Sequence, residues 1–179
     1  VREDLKIEIP PEYLEIQEYE GRLETSELVT SDIKKMDIKL ITPEEISFKP
    51  GQYVQIKYYN PEGNIDYRAY SISSTPDEKN HIELNIKKIP EGLVSTYMHS
   101  LNAGDNIEFS GPYGDFYLRM DSHRKIVCVA GGVGLAPLKS IVLYWYSHHI
   151  ERPLELYYGS RNIQDLYDHE TFVKIAGEN

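Results

Sequence analysis

Lys125-Ile126-Val127-Cys128-Val129-Ala130-Gly131-Gly132-Val133-Gly134-Leu135-Ala136-Pro137 is where this chain changes its rhythm. Lys125 to Ala130 reads as a continuous apolar strand, the pattern of a parallel strand buried on both faces. A glycine turn follows, and Leu138, Ile141, Val142 and Trp145 then recur at the spacing of an amphipathic helix. Leu154 to Tyr158 reads as a second strand, and a second helix is expected from about Asp168. This βαβα order begins a doubly wound parallel sheet over residues 120–179. Two such strands leave an apolar edge uncovered, so the α/β part reads as a truncated domain.

Upstream, over residues 18–119, the period is two. Met36, Ile38 and Leu40, then Val54, Ile56 and Tyr58, then Ile82, Leu84 and Ile86, and finally Ile107 and Phe109 each place apolar side chains on one face of a short strand. Lys49-Pro50-Gly51, Pro61-Glu62-Gly63-Asn64, Ala103-Gly104-Asp105 and Gly111-Pro112 are turn signals between them. Many short strands separated by Gly and Pro favour a barrel or sandwich. Val94, Tyr97, Met98 and Leu101 interrupt the strands at helical spacing and would cap one end of the barrel. Residues 1–17, rich in Glu with Pro10-Pro11 in the middle, read as an extended linker.

The 179 residues, 40% of them apolar, suffice for one ordinary domain or two small ones. A formal charge of -10 argues against nucleic acid and anionic membrane surfaces as partners, because phosphate backbones demand clustered Lys and Arg. No apolar run approaches the length of a membrane span, and a cytoplasmic location is expected, either free or peripheral at the cytoplasmic face of a membrane complex. One cysteine, Cys128, can neither form an internal disulfide nor ligate a cluster of the usual four thiolates; it reads as a small core residue. His148 and His149 are adjacent, so on a helix they diverge by about 100° and do not chelate together. No metal site is expected.

Four constellations carry chemistry. In Arg68-Ala69-Tyr70-Ser71, followed by Ile72-Ser73-Ser74, alternation on a strand sends Arg68 and Tyr70 to one side. There a guanidinium can pair with a phosphate and a phenol ring can lie on a flat heterocycle, with Ser71 offering a hydrogen bond near the ring edge. Gly92-Leu93-Val94-Ser95-Thr96 opens the short helix, where free amides and two hydroxyls make an anion site without net positive charge. Ordinary capping by Ser95 is the plainer reading of that stretch. Gly131-Gly132-Val133-Gly134, between strand and helix, lets the backbone turn sharply toward a dinucleotide, with Pro137 tolerated in the first helical turn. Tyr158-Gly159-Ser160-Arg161 ends the second strand, where open α/β sheets bind ligands.

In this order, together with Gly111-Pro112-Tyr113-Gly114-Asp115-Phe116, these motifs closely resemble the ferredoxin-NADP reductase superfamily over residues 18 to 179. The resemblance implies an α+β two-domain fold, with a six-stranded antiparallel Greek-key β-barrel before the partial α/β domain. It implies FAD on the barrel, its pyrophosphate held by Arg68 and the Gly92/Val94/Ser95/Thr96 turn, with Ala69, Asn85, Ile86 and Lys87 also beside the cofactor. Tyr70 would stack on the isoalloxazine and Ser71 lie near its reactive nitrogen, making these two the catalytic candidates; Tyr53 is a weaker flavin candidate. Gly131, Gly132, Gly134, Pro137, Gly159, Ser160 and Arg161 would receive NAD(P)H, with NADH the expected donor. Glu3 to Pro10 is similar to the segment after a plant-type [2Fe-2S] domain in the F subunit of sodium-translocating NADH:quinone reductases and in oxygenase reductases, so the implied electron partner is a 2Fe-2S domain or protein. A flavin-holding electron-transfer or regulatory subunit that does not itself oxidise a nicotinamide nucleotide stays open beside it.

Overall fold

The computed structural model describes residues 14–178, so residues 1–13 of the expected linker lie outside them. Six strands come first: β1 (Gln17–Leu28), β2 (Ile33–Thr42), β3 (Tyr53–Tyr59), β4 (Ile65–Ser71), β5 (His81–Lys87) and β6 (Asn106–Tyr113), with helix α1 (Leu93–Ser100) between the last two. They form one antiparallel sheet in the order β4-β3-β6-β1-β2-β5, curled into a half-barrel. Its two edge strands, β4 and β5, are drawn together just beyond the end of β4 by a single bridge between Ile72 and Leu84.

Register explains the core. Leu23 faces Ile38, Met36 faces Leu84 and Ile38 faces Ile82, so the apolar members of each alternation meet on the concave side. Leu23, Met36, Ile38, Ile56, Ile82, Leu84, Ile86 and Phe109 are fully enclosed there. The ring of Phe109 stacks on Tyr19 at 5.1 Å. As the helical spacing predicts, Val94, Met98 and Leu101 close one end of this core.

The second part consists of β7 (Ile126–Gly131), α2 (Leu135–Ser147), β8 (Leu154–Gly159) and α3 (His169–Gly177). β7 and β8 pair in parallel, with Cys128 opposite Leu156. Cys128 is buried with Leu118, Ile126, Leu138 and Ile141, and burial pushes its thiol up. The expectation that β7 is covered on both faces is corrected. Val127 and Val129 on its other face are 56% and 73% exposed, because among the described residues helices pack against one side only. None of the described helices is long and apolar enough to cross a membrane.

The two parts share an interface. Ile33 of β2 packs with Leu135 and Tyr167. Gly51 adopts φ +112, and a Cβ there would sit 2.7 Å from the carbonyl oxygen of Phe116, so only glycine lets this turn lie under the connection between the parts. Beside it the Leu118 amide donates to the Pro50 carbonyl at 3.1 Å.

Replacing Phe109 by Ala empties the centre of the half-barrel and is expected to lower unfolding free energy by about 3–5 kcal/mol, read from urea denaturation midpoints.

Candidate cofactor and nucleotide site

The seam between β4 and β5 decides where a ligand fits. β4 pairs with β3 along one edge, and beyond the Ile72–Leu84 bridge it diverges from β5, so the two edge strands of the sheet are not joined there. A cavity of about 500 Å³ opens in this gap. Arg68, Ala69, Tyr70 and Ser71 line it from β4, Asn85 and Lys87 from β5, and Gly92, Val94 and Ser95 from the start of α1. Asp66, Tyr67, Ile89 and Leu93 complete that side, and Val133 and Ala136 reach in from the α/β part. Asp66, Tyr67 and Ile89 had no signal in a linear reading; Leu93, Val133 and Ala136 lie within the quoted motifs, but nothing local says that the α2 start folds over the β4–β5 seam.

Other sequence candidates fall elsewhere. The side chain of Ile86 is fully buried in the half-barrel core, and Thr96 points outside the cavity on the exposed side of α1. Tyr53 stacks on Tyr113 at 5.6 Å, away from the cavity lining.

Inside the cavity Tyr70 is half-buried; burial pushes its phenol up, against the opposing pull of the Arg68 guanidinium. Ser95 uses its hydroxyl locally, accepting from the Ile89 amide at 3.1 Å and donating to the Gly92 carbonyl at 3.2 Å. A Cβ on Gly92 would come within 2.7 Å of that hydroxyl oxygen, which accounts for the glycine. The first bond of α1 runs from the Thr96 amide to the Gly92 carbonyl, so the amides of Leu93, Val94 and Ser95 precede the helical ladder.

Asn85 is the anomaly. It is 5% exposed, and neither its side-chain oxygen nor its nitrogen has a hydrogen-bond partner. A buried amide left unpaired costs about 1–3 kcal/mol, so the site calls for a group presenting both a donor and an acceptor to it. Together with the Arg68 guanidinium, the free amides of α1 and the ring of Tyr70, this donor set fits FAD.

A second cavity, of about 630 Å³, lies at the carboxyl ends of β7 and β8. Gly131, Gly132, Gly159, Ser160 and Arg161 line it as the motifs predict, joined by Val133, Asn162 and Asp165. Gly132 adopts φ +52, and Gly132–Gly134 form a single 3₁₀ turn that leads into α2, with Pro137 in its first turn. Gly134 and Pro137 shape this entry without lining the cavity. The opposite wall is the β1–β2 turn, residues Thr30 to Ile33, together with Lys87 of β5. Asp32 pairs with Lys87 at 3.1 Å. Burial works to raise its pKa, but hydrogen bonds from Lys87 and Thr30 and the charges of Lys87 and Arg161 outweigh that and hold the carboxyl below its ordinary range. Val133 lines both cavities, so the two lie side by side.

Residues 20–117 match the family of oxidoreductase FAD-binding domains, and residues 128–179 match that of oxidoreductase NAD-binding domains. The chain is 38% identical over 160 residues to the naphthalene 1,2-dioxygenase system ferredoxin--NAD(P)(+) reductase component of Pseudomonas putida, an alignment covering 89% of the chain and 47% of that protein. It is 33% identical over 162 residues to the phenol hydroxylase P5 protein of Acinetobacter pittii (strain PHEA-2), covering 90% of the chain and 44% of the relative. Among solved structures, the Amycolatopsis cytochrome P450 reductase GcoB superposes with a TM-score of 0.81 at 32% identity, covering 91% of this chain and 49% of that one. The chain thus spans about half the length of these relatives. Its half-barrel with a cofactor-shaped seam, and the glycine turn beside it, are those of the ferredoxin reductase family of FAD- and NAD-binding oxidoreductases, to which this chain belongs.

Proposed function

We propose that this chain is the flavin- and nucleotide-binding module of an NAD(P)H-dependent reductase that passes electrons to an iron-sulfur centre in another domain or protein. The observation that carries the reading is the orphaned amide of Asn85 in a cavity whose far wall, Val133 and Ala136, belongs to the glycine turn and helix start of the nucleotide side. A dinucleotide seated on that turn would be brought against whatever occupies the seam. Bound FAD would supply the conversion between a two-electron hydride donor and a one-electron acceptor.

The chain's own groups then divide the work. Arg68 and the α1 amides neutralise a diphosphate, which an acidic protein cannot attract through its overall field. Tyr70 offers its ring face, and burial pushes its phenol further up from its ordinary value. Ser71 and the free edge of β4 present polar groups to the rim of a planar ring. Asn85 fixes the ring's rotation by taking one donor and one acceptor from it. On the nucleotide side, Gly132 lets the backbone approach a pyrophosphate, and Arg161 meets a ribose or phosphate.

NADH is the proposed donor. Asp32 and Asp165 both line that cavity, and Lys87 is already paired to Asp32, so the extra phosphate of NADPH would face two carboxylates. The same proposal sets the module in the cytoplasm, where a single buried thiol suits a reducing compartment.

Three outcomes are expected. Anaerobic mixing of the full-length flavin-loaded protein with NADH should bleach the visible flavin absorbance faster than NADPH does; failure of both to bleach it would identify a flavin subunit that does not use nicotinamide nucleotides. Arg68→Ala should weaken flavin retention about 10- to 100-fold by loss of a charge-assisted contact, measured by flavin release on dilution. Asn85→Leu should raise the stability of the flavin-stripped protein by about 1 kcal/mol, because the unpaired buried amide is removed, while weakening its rebinding of FAD, because the hydrogen bonds that amide would make to the cofactor are lost.

A further inference from the structure

The geometry points to Lys139 as a positioning residue that ties the glycine turn of the nucleotide side to the flavin strand, an inference that rests on the functional reading above. Lys139 lies in α2, two residues beyond Pro137, yet its side chain is only 8% exposed and its ammonium is enclosed by acids from two directions. It donates to both carboxylate oxygens of Glu83 on β5, at 2.8 and 3.0 Å, and to Asp168 at the start of α3, at 2.7 Å.

Each acid leads to one of the two cavities. Glu83 accepts the hydroxyl of Ser73 at 2.6 Å, and the Ser73 amide donates to the Glu83 carbonyl at 2.9 Å. Ser73 is two residues beyond Ser71 on the segment that carries Arg68 and Tyr70. On the other side, Asp168 is in the left-handed conformation at φ 57. Its neighbour Tyr167 is buried and donates its phenol to the carbonyl of Gly132 at 3.2 Å, in the glycine turn itself. Burial pushes that phenol far up, so it remains a donor at any physiological pH.

The chain of contacts therefore runs Ser73, Glu83, Lys139, Asp168, Tyr167, Gly132, from the flavin strand to the nucleotide turn, with one ammonium at its centre. Apolar residues could fill this position at no loss of packing; a buried cation with two acids instead accepts only one relative placement of the half-barrel, α2 and α3. Hydride transfer is steeply sensitive to that placement, since an error of about 1 Å between reacting groups can cost on the order of 100-fold in rate. Lys139 lines neither cavity, so it acts through the turn and not on the ligands.

The test is anaerobic stopped-flow reduction of the full-length, FAD-loaded protein by NADH. Lys139→Met should lower the limiting rate of flavin reduction about 10- to 100-fold with little change in the NADH Kd. Reoxidation of dithionite-reduced flavin by ferricyanide should be unchanged, and Lys139→Arg should restore most of the lost rate. Glu83→Gln combined with Lys139→Met removes the Glu83 charge together with the ammonium, and Asp168 keeps Lys35 at 3.8 Å, so this double variant serves where the single one unfolds. It should show the same slow reduction. A limiting rate equal to wild type in the flavin-loaded fraction of either variant overturns the inference, as does loss of flavin and Tm in both variants with no slow-reducing species, which would make Lys139 a stability residue only. If wild-type flavin is not reduced by NADH or NADPH at all, the functional reading falls and takes this inference with it, an outcome distinct from a reducible wild type matched by its variants.

Discussion

The incomplete pairing of β4 with β5 is the constraint from which the rest of the site follows. A six-stranded antiparallel sheet that curls far enough to enclose a core brings its edges together, and here they meet at one bridge only, Ile72 with Leu84. Beyond it the strands part. Arg68, the half-buried Tyr70 and the unpartnered Asn85 all line the resulting gap. An edge left open in an ordinary barrel invites association with another strand; here a cavity with a helix start at one end occupies the place where such a strand would pair.

The second part of the chain is built onto that gap. α2 begins at the glycine turn and lays Val133 and Ala136 over the seam, while Leu135 and Tyr167 bury Ile33 of the half-barrel. The two cavities thus share Lys87 and Val133 in their linings. That sharing makes relative placement of the two parts a chemical variable, and the buried ionic cluster around Lys139 is a directional contact across the boundary.

Much of this was legible in the residue order. The period-two stretches around Met36, Val54, Ile82 and Ile107 became β2, β3, β5 and β6, and the switch at Lys125 marked the start of the parallel pair. Arg68 and Tyr70 do line one cavity, though Ala69 and Ser71 line it with them, and the glycine turn and Gly159-Ser160-Arg161 share another. Less was legible where a residue's role depends on distant chain. The apolar run of β7 gave no sign that Val127 and Val129 would face outward, because an apolar side chain records a tendency to be covered and not what covers it.

The local pattern of apolar and polar residues, with glycine where the backbone must turn tightly, determined by itself which segments are strands and helices and where the glycine turns fall. Those are short-range properties, written in adjacent residues. Only the tertiary structure decided that Asn85 would be buried without a partner, that Asp32 from the β1–β2 turn would face Arg161, and that Lys139 would stand between Glu83 and Asp168, 56 and 29 positions away. The physical reason is that burial and charge pairing are set by the closure of the sheet and the docking of α2 on it, and no spacing along the chain encodes the distances that result.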